Sequence, residues 1–223
     1  SQIPDPVLRS KLTPDYPIGC KQILASDEYF QALKRSNVYV ETNKITKVEP
    51  YAVVTADGNR HPAQVIILAT GFEARQFLAP IRIVGRQKKV LSEQWNQTAD
   101  AYLGMSAPGF PNFFMLYGPN THSAQGSTIF MIECQSRYIV KCIQAYEDRG
   151  IDAMEVKPEV VQKFSQAMQT ASSKTVLTAS CTSWYKTTHG KVLNVWPGYA
   201  TQYWWNTRKP KLSHFQIRYN TGL

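Results

Sequence analysis

The sequence predicts an α/β fold, and two stretches carry the prediction. Gln64-Val65-Ile66-Ile67-Leu68-Ala69 is a nearly unbroken apolar run of strand length ended by Thr70-Gly71. Runs of that kind belong to parallel strands covered on both faces. Residues 112–117, Asn-Phe-Phe-Met-Leu-Tyr, form a second short apolar run, bounded by Pro111 and by Gly118-Pro119-Asn120. From about Gly126 to Tyr146 the rhythm becomes helical: Ile129, Ile132, Ile139, Ile143 and Tyr146 are apolar, with Glu133, Gln135 and Arg137 between them. A buried strand, a turn of small residues and a long helix is an ordinary α/β unit.

Taken in order, residues 1–19 hold Pro4, Pro6, Pro14 and Pro17 and predict an extended connector. Ser26 caps a short helix that turns Phe30 and Leu33 inward and ends near Arg35-Ser36. Residues 37–41 predict a strand, and 44–48 with 51–56 predict two antiparallel strands. Asp57-Gly58 marks the next tight turn, leading through His61-Pro62 into the run at 64–69. Gly85–Lys89 reads as a turn between strand pieces, and Trp95 as a core anchor. The long helix ends at Gly150, a good residue for the left-handed cap. Pro158 opens another helix, with Val161, Phe164 and Met168 as its inner stripe. Residues 170–182 are rich in Ser and Thr and predict a loop. Tyr203, Trp204 and Trp205 form an aromatic terminal unit that packs on the main domain.

Composition bounds what the chain does. With 223 residues, 43% of them hydrophobic, it can bury a sizeable core and is not a disordered chain. No apolar run approaches the roughly 20 residues that span a bilayer, and no signal segment opens the sequence; both predict a cytoplasmic protein without a membrane span. Cys20, Cys134, Cys142 and Cys181 show no C-x-x-C pair and no histidine at metal-ligand spacing, so free buried thiols are expected and no metal. Cys134 and Cys142 lie two helical turns apart and share a face. The net charge of +9 comes from scattered Lys and Arg, with neither a zinc knuckle nor a basic helix. Nucleic-acid binding, with the terminal aromatics stacking on bases beside Arg208, Lys209 and Lys211, is therefore the lesser reading.

The turn at the head of the long helix carries the chemistry. Asn120, Thr121, Ser123, Gln125, Gly126 and Ser127 leave backbone N–H groups and the positive end of the helix dipole open to an electron-rich ligand such as a phosphate, a carboxylate or the pyrimidine edge of a flavin. Nowhere does a G-x-G-x-x-G join a strand to a helix, so these residues lack the fingerprint for a dinucleotide pyrophosphate. His122 stands alone in this turn, where a histidine is more often a cap or a surface residue, and no role is assigned to it.

Residues 102–138, together with Ala69-Thr70-Gly71-Phe72, Pro17-Ile18-Gly19-Cys20-Lys21, Ser183-Trp184-Tyr185 and Tyr203-Trp204-Trp205, resemble the Baeyer–Villiger and flavin-containing monooxygenases over nearly the whole chain. The resemblance implies the C-terminal part of a Rossmann-like flavoprotein with two dinucleotide sites, one for FAD and one for NADPH, incomplete without its N-terminal half, which is then the expected partner. It divides the chain into a connector (1–19), a piece of the NADP-binding domain (20–71) and a piece of the FAD and substrate domain (72–223). The implied reaction inserts one atom of O2 into a ketone, or oxidises a soft heteroatom, through a peroxyflavin, and the isolated chain is expected to be inactive. The implied cofactor contacts are Lys21 near the 2′-phosphate of NADPH, Gly118, Asn120, Gln125 and Thr128 against the flavin, and Trp184 as a lid over the nicotinamide cofactor. Without the resemblance, Lys21 reads as a solvated lysine and Trp184 as a core aromatic. Gln22 departs from the pattern, which carries a catalytic arginine there. A neutral amide replaces a fixed positive charge, and loss of such a charge costs about 10²–10³ in rate. That departure also leaves open a non-catalytic interaction module derived from a flavoprotein.

Overall fold

The computed structural model describes residues 2–96, 98–123 and 126–219. It divides into two compact units: Ser1–Tyr16 with Ile23–Phe72, and Pro17–Gln22 with Glu73–Leu223.

In the first unit, α1 (Pro6–Leu12) occupies part of the expected connector. Pro6 sits in the first turn, where its missing N–H costs nothing, and the Asp5 carboxylate accepts from the Val7 N–H at 2.9 Å. α2 (Tyr29–Leu33) follows Ser26, whose hydroxyl accepts from the N–H groups of Glu28 and Tyr29 at 3.3 and 3.1 Å. Its apolar residues are not buried as expected: Phe30 is exposed and Leu33 half-buried. β1 (Ile45–Glu49), β2 (Ala52–Thr55) and β3 (Arg60–Pro62) form an antiparallel sheet in that order, with Val48 opposite Val53. Gly58 makes the predicted turn at φ +83°, and the Asp57 carboxylate ties it by accepting from the Thr55 hydroxyl at 2.6 Å and the Asn59 amide at 2.7 Å. The strands expected at 37–41 and 64–69 do not form. A strand exists only where its N–H and C=O groups find a ladder, and these segments find none among the described residues.

The second unit holds the clusters of buried apolar side chains. Val84 bridges Val90 across the turn at Gly85–Lys89, and α3 (Leu91–Trp95) buries Leu91 and Trp95 against Ala107, Phe110 and Met115. Residues 112–117 form no strand; Asn112 and Tyr117 take positive φ, and the Met115 N–H donates to Met105 O within a tight loop pair. α4 (Thr128–Arg149) is the predicted long helix, capped by the Ser127 hydroxyl on Phe130 N–H at 3.2 Å and ended by Gly150 at φ +60°. Its buried stripe is Met131, Cys134, Gln135, Tyr138 and Cys142, whereas Ile129 and Ile143 are 70% and 50% exposed. The true inner face thus carries a glutamine and two thiols, which an apolar count passes over. β4 (Ile151–Val156) and β5 (Phe215–Tyr219), unforeseen in the sequence, pair antiparallel beneath α4. α5 (Pro158–Ser172) buries Val161 and Met168 with Phe164 half-buried, as predicted, and runs on into the expected loop as far as Ser172. α6 (Ala200–Thr207) anchors the terminal aromatics through Tyr203, fully buried with its hydroxyl donating to Leu103 O at 2.7 Å. Trp204 and Trp205 stay partly or largely exposed, with the Arg208 guanidinium 4.9 and 4.8 Å from their ring centres.

One expectation about the thiols is overturned. Cys20 and Cys181, 161 residues apart, pair as a disulfide, while Cys134 and Cys142 remain free and buried. The pairing is set by the fold bringing 17–22 against the 176–181 loop, so sequence spacing could not show it.

Candidate functional site

The turn before α4 is held from behind. Asn120 is buried at φ +57°, its N–H donates to Leu193 O at 2.6 Å, and its Nδ2 donates to Val192 O and Val195 O, both at 3.1 Å. His122 extends the contact as a parallel bridge with Val195: its N–H donates to Asn194 O at 2.8 Å, and its carbonyl accepts from Trp196 N–H at 2.9 Å. Thr121 Oγ1 donates to Gly118 O at 2.6 Å. A Cβ on Gly118 would collide with Gly104 O, and one on Gly104, at φ +68°, with the Thr121 side chain. Both glycines are there so that two loops can touch backbone to backbone.

This framework leaves a cavity of about 350 Å³, lined among others by Phe77, Tyr117, Gly118, His122, Trp184 and Asn194. The volume is in the range that holds a small organic molecule. Inside it, His122 Nδ1 and the Tyr117 hydroxyl are 2.7 Å apart. The imidazole lies edge to face with Trp184 at 5.1 Å between ring centres and stacks on Tyr185 at 6.2 Å. Desolvation holds the His122 pKa below the usual histidine value and so favours the neutral ring. Burial pushes the Tyr117 phenol up, partly offset by a hydrogen bond from Thr128. Asn194 donates from Nδ2 to Ala74 O at 2.9 Å. Two buried polar atoms in this lining, His122 Nε2 and Asn194 Oδ1, have no hydrogen-bond partner among the described residues. A larger cavity of about 790 Å³ shares Glu73, Gln76, Phe77 and Leu78 with it and continues past Ile83 and Trp95.

Gly118 and Trp184 line the cavity, and Thr128 reaches it through Tyr117. Asn120 lies behind the wall with its amide donating to carbonyls of the 192–195 segment. Gln125 falls outside the described residues. Lys21 and Gln22 are exposed on the segment that Cys20 fastens to Cys181, three residues before Trp184. Sequence reasoning singled out neither Tyr117 nor Asn194, and it weighed His122 without assigning it a role. The available signal was that Tyr117 and His122 flank the very turn singled out as a ligand seat; nothing marked Asn194. No group of three or more His, Cys, Asp or Glu side chains able to hold a metal occurs among the described residues, and no described helix is long and apolar enough to cross a membrane.

An aromatic cavity of a size that fits a small organic molecule lies at the head of the long capped helix of an α/β protein. No family model matches the chain. Individual relatives do: it is 40% identical to the FAD-binding monooxygenase ktnD of Aspergillus niger over 209 residues, covering 91% of this chain and 34% of the relative. It is 37% identical to a Baeyer–Villiger monooxygenase of Streptomyces coelicolor, covering 96% of this chain and 42% of the relative. Among solved structures, an oxidised steroid monooxygenase bound to NADP superposes with a TM-score of 0.85 at 28% identity, over 96% of this chain and 42% of that one. A closed cyclohexanone monooxygenase superposes at 0.83 and 26% identity, over 97% and 42%. The chain belongs to the Baeyer–Villiger and FAD-binding monooxygenases and corresponds to a C-terminal portion of them. It spans about two-fifths or less of the length of the curated relatives it matches.

Proposed function

We propose that the chain is the flavin- and substrate-facing portion of an FAD- and NADPH-dependent monooxygenase that inserts one oxygen atom of O2 into a ketone or oxidises a soft heteroatom. The observation that carries this reading is the aromatic cavity beside the N-terminus of α4, on a chain with relatives named as FAD-binding and Baeyer–Villiger monooxygenases. The residues present fit such cofactors in part. Among the described residues two buried polar atoms of the cavity lining lack a partner, and α4 would offer its helix start to an electron-rich ring. The pyrophosphate-binding glycines are not in these residues and would come from the N-terminal half, the expected partner of this chain.

Bound FAD, reduced by NADPH, would supply the oxygen-activating chemistry. The chain's own residues would seat and shield it. Gly118 and Thr128, and Gln125 from the sequence expectation, would contact the flavin at the turn before α4. Asn120 fixes the shape of that turn through the 192–195 carbonyls. Trp184 would close over the nicotinamide cofactor and keep water out, and Lys21 would set a positive charge near its 2′-phosphate. Gln22, neutral where the family has arginine, predicts slow oxygen insertion. Nucleic acid is not a partner in this reading, and the protein is cytoplasmic. In a reducing cytosol Cys20 and Cys181 would stand as a facing dithiol.

The test is made on the full-length protein that contains this chain. A flavin spectrum together with ketone-dependent NADPH oxidation and an ester product is expected; a colourless protein with no NADPH oxidation would sink the reading. Gln22→Arg in that protein should raise the rate of ketone oxidation, by up to about 10²–10³. Absence of any gain would show that Gln22 does not limit the chemistry.

A further inference from the structure

The four cysteines fall into two kinds of surroundings. Cys134 and Cys142 are free and buried on the inner face of α4, and burial pushes the Cys142 thiol up to about 12 and the Cys134 thiol up as well, which keeps both inert. Cys181, by contrast, is half-buried on the loop between α5 and Trp184, with its partner Cys20 fully buried. The carbonyl of Ala179 ties this second site together. It accepts from Cys181 N–H at 2.8 Å and from the Lys186 ammonium, and Cys20 Sγ lies 3.9 Å from it. A cation so close to a reduced cysteine favours the thiolate, the form that attacks. The bond also joins two segments that already touch, since a Cβ on Gly19 would come within 3.1 Å of the Val176 side chain. Leu177 and Tyr185 anchor the loop in one apolar cluster, but none of residues 178–184 is buried between them. The sulfur bond is therefore the firmest hold on the loop that carries Trp184 into the wall of the 350 Å³ cavity.

We propose that Cys20 and Cys181 are a reversible oxidation site, a dithiol that a hydroperoxide closes and a small thiol reopens, and that its state sets how freely the loop bearing Trp184 moves. The proposal goes beyond the monooxygenase reading and does not depend on it. The Cys181 thiolate, the more exposed of the two, attacks one oxygen of hydrogen peroxide; the O–O bond breaks, an S–O bond forms and hydroxide leaves. The Cys20 sulfur then attacks the Cys181 sulfur; the S–S bond forms, the S–O bond breaks and a second hydroxide leaves. The two thiol protons convert both hydroxides to water. The sulfurs together lose two electrons and the peroxide gains them. Two molecules of glutathione reverse the change by thiol–disulfide exchange and are themselves oxidised to their disulfide. Lys186 is a positioning residue here, holding the thiolate charge.

The test uses the full-length protein that contains this chain, reduced, freed of reductant and then treated with hydrogen peroxide. Peptide mass mapping should show Cys20 and Cys181 joined, with Cys134 and Cys142 still able to take up iodoacetamide after unfolding, and glutathione should restore both lost thiols. Hydrogen exchange of residues 176–186 should be about tenfold or more faster in the reduced form, with the sheet of β1, β2 and β3 exchanging alike in both. Cys20→Ser removes the second sulfur, so peroxide should leave Cys181 as a sulfenic acid that dimedone captures. Lys186→Met keeps the aliphatic stem and should slow the pairing about tenfold, and Lys186→Arg should restore it. Oxidation of all four cysteines alike, or of Cys181 past the sulfenic acid without pairing, would overturn the site. Equal exchange of residues 176–186 in the two forms would overturn its control of the loop, and an unchanged pairing rate in Lys186→Met the part given to Lys186. If Cys20→Ser does not fold, mapping and exchange of the unaltered protein still decide. Reversible pairing with a freed loop in a protein that oxidises no NADPH would uphold the site and fell the monooxygenase reading alone.

Discussion

The two units handle the same kind of sequence in opposite ways. In the second, apolar runs disappear into packed clusters: Leu91, Trp95, Phe110 and Met115 around α3, and Tyr138, Cys142, Met154 and Val156 between α4 and β4. In the first, Ile66, Ile67 and Leu68 are 49%, 86% and 79% exposed, and Phe72 is 98% exposed. Its buried apolar residues are Ile3 and Ala52, far too little to offset the conformational entropy of some sixty residues. The difference teaches that an apolar run states a demand for cover and does not itself supply it. A helix satisfies its own backbone and needs only one covered face; a parallel strand needs neighbours on both edges and both faces.

If the second unit owes its firmness to its own internal ties, cutting the longest of them should have the largest effect. The Cys20–Cys181 link closes a loop of 161 residues, for which chain entropy gives a stabilisation of about 5 kcal/mol at the upper end of the usual range. Cys181→Ser, or reduction of both cysteines, should lower the melting temperature of the second unit by many degrees in a thermal scan and leave the small antiparallel sheet unchanged. Identical melts with and without reductant, with the thiol count rising from two to four, would show that the fold holds this loop without the bond.

Next in size is Gly104→Ala. The added methyl group meets both a forbidden backbone angle, φ +68°, and the Thr121 side chain, so a loss of about 2–4 kcal/mol is expected in denaturant unfolding. Gly58→Ala in the first unit has a similar φ of +83° and nothing within reach of its Cβ, and should cost only the backbone part, about 1 kcal/mol. A ratio near one between the two would mean that loop contact at the cavity wall contributes nothing.

The units should also part company on acidification. In the second unit burial holds His122 below the usual histidine value, and His214 as well, where Lys211, Lys157 and Lys163 add to the effect. A depressed histidine pKa means that the unfolded chain takes up the proton first. The stability these residues give is complete above the unfolded value of 6.5 and is lost as pH falls below it. In the first unit the shifted groups are Glu41, Glu49 and Asp57, lowered mainly by bonds from Asn43 N–H, from Lys47 and from the Thr55 hydroxyl. Their contribution persists down to the ordinary carboxylate values of 4.5 and 3.8 and fails only beneath them. Melting curves between pH 7 and 5 should therefore shift for the second unit alone, and His122→Phe should flatten part of that shift.

How legible the molecule was follows the same division. Local signals were readable: Ser127 and Gly150 bracket α4, Pro158 opens α5, and Asp57-Gly58 turns β2 towards β3, each through chemistry within a few residues. The family, too, was legible from short motifs spread over the chain. Long-range consequences were not. Gln135 on the inner face of α4 is understood only with Tyr117 N–H 2.9 Å from its Oε1, and Cys20 only with Cys181. The same holds at the site. Trp184 and Gly118 could be singled out from motif resemblance, whereas Asn194 emerges only when Ala74, 120 residues away, claims half of its amide.

The smallest expected effect is the most informative about the bare surface. Ile67→Lys places a charge at a position 86% exposed, so the unfolding free energy of this chain should change by no more than about 0.5 kcal/mol. In the full-length protein the same substitution should be severe if the remaining three-fifths of the fold cover this run as a strand between neighbours. A lysine buried there without a partner would cost several kcal/mol and prevent stable folding. Near-neutral behaviour in both would mean that the run at 64–69 is a surface in its own right. A loss in the long protein alone would show that the first unit is unfinished by itself, and that its apolar sequence is written for strands contributed by the rest of the chain.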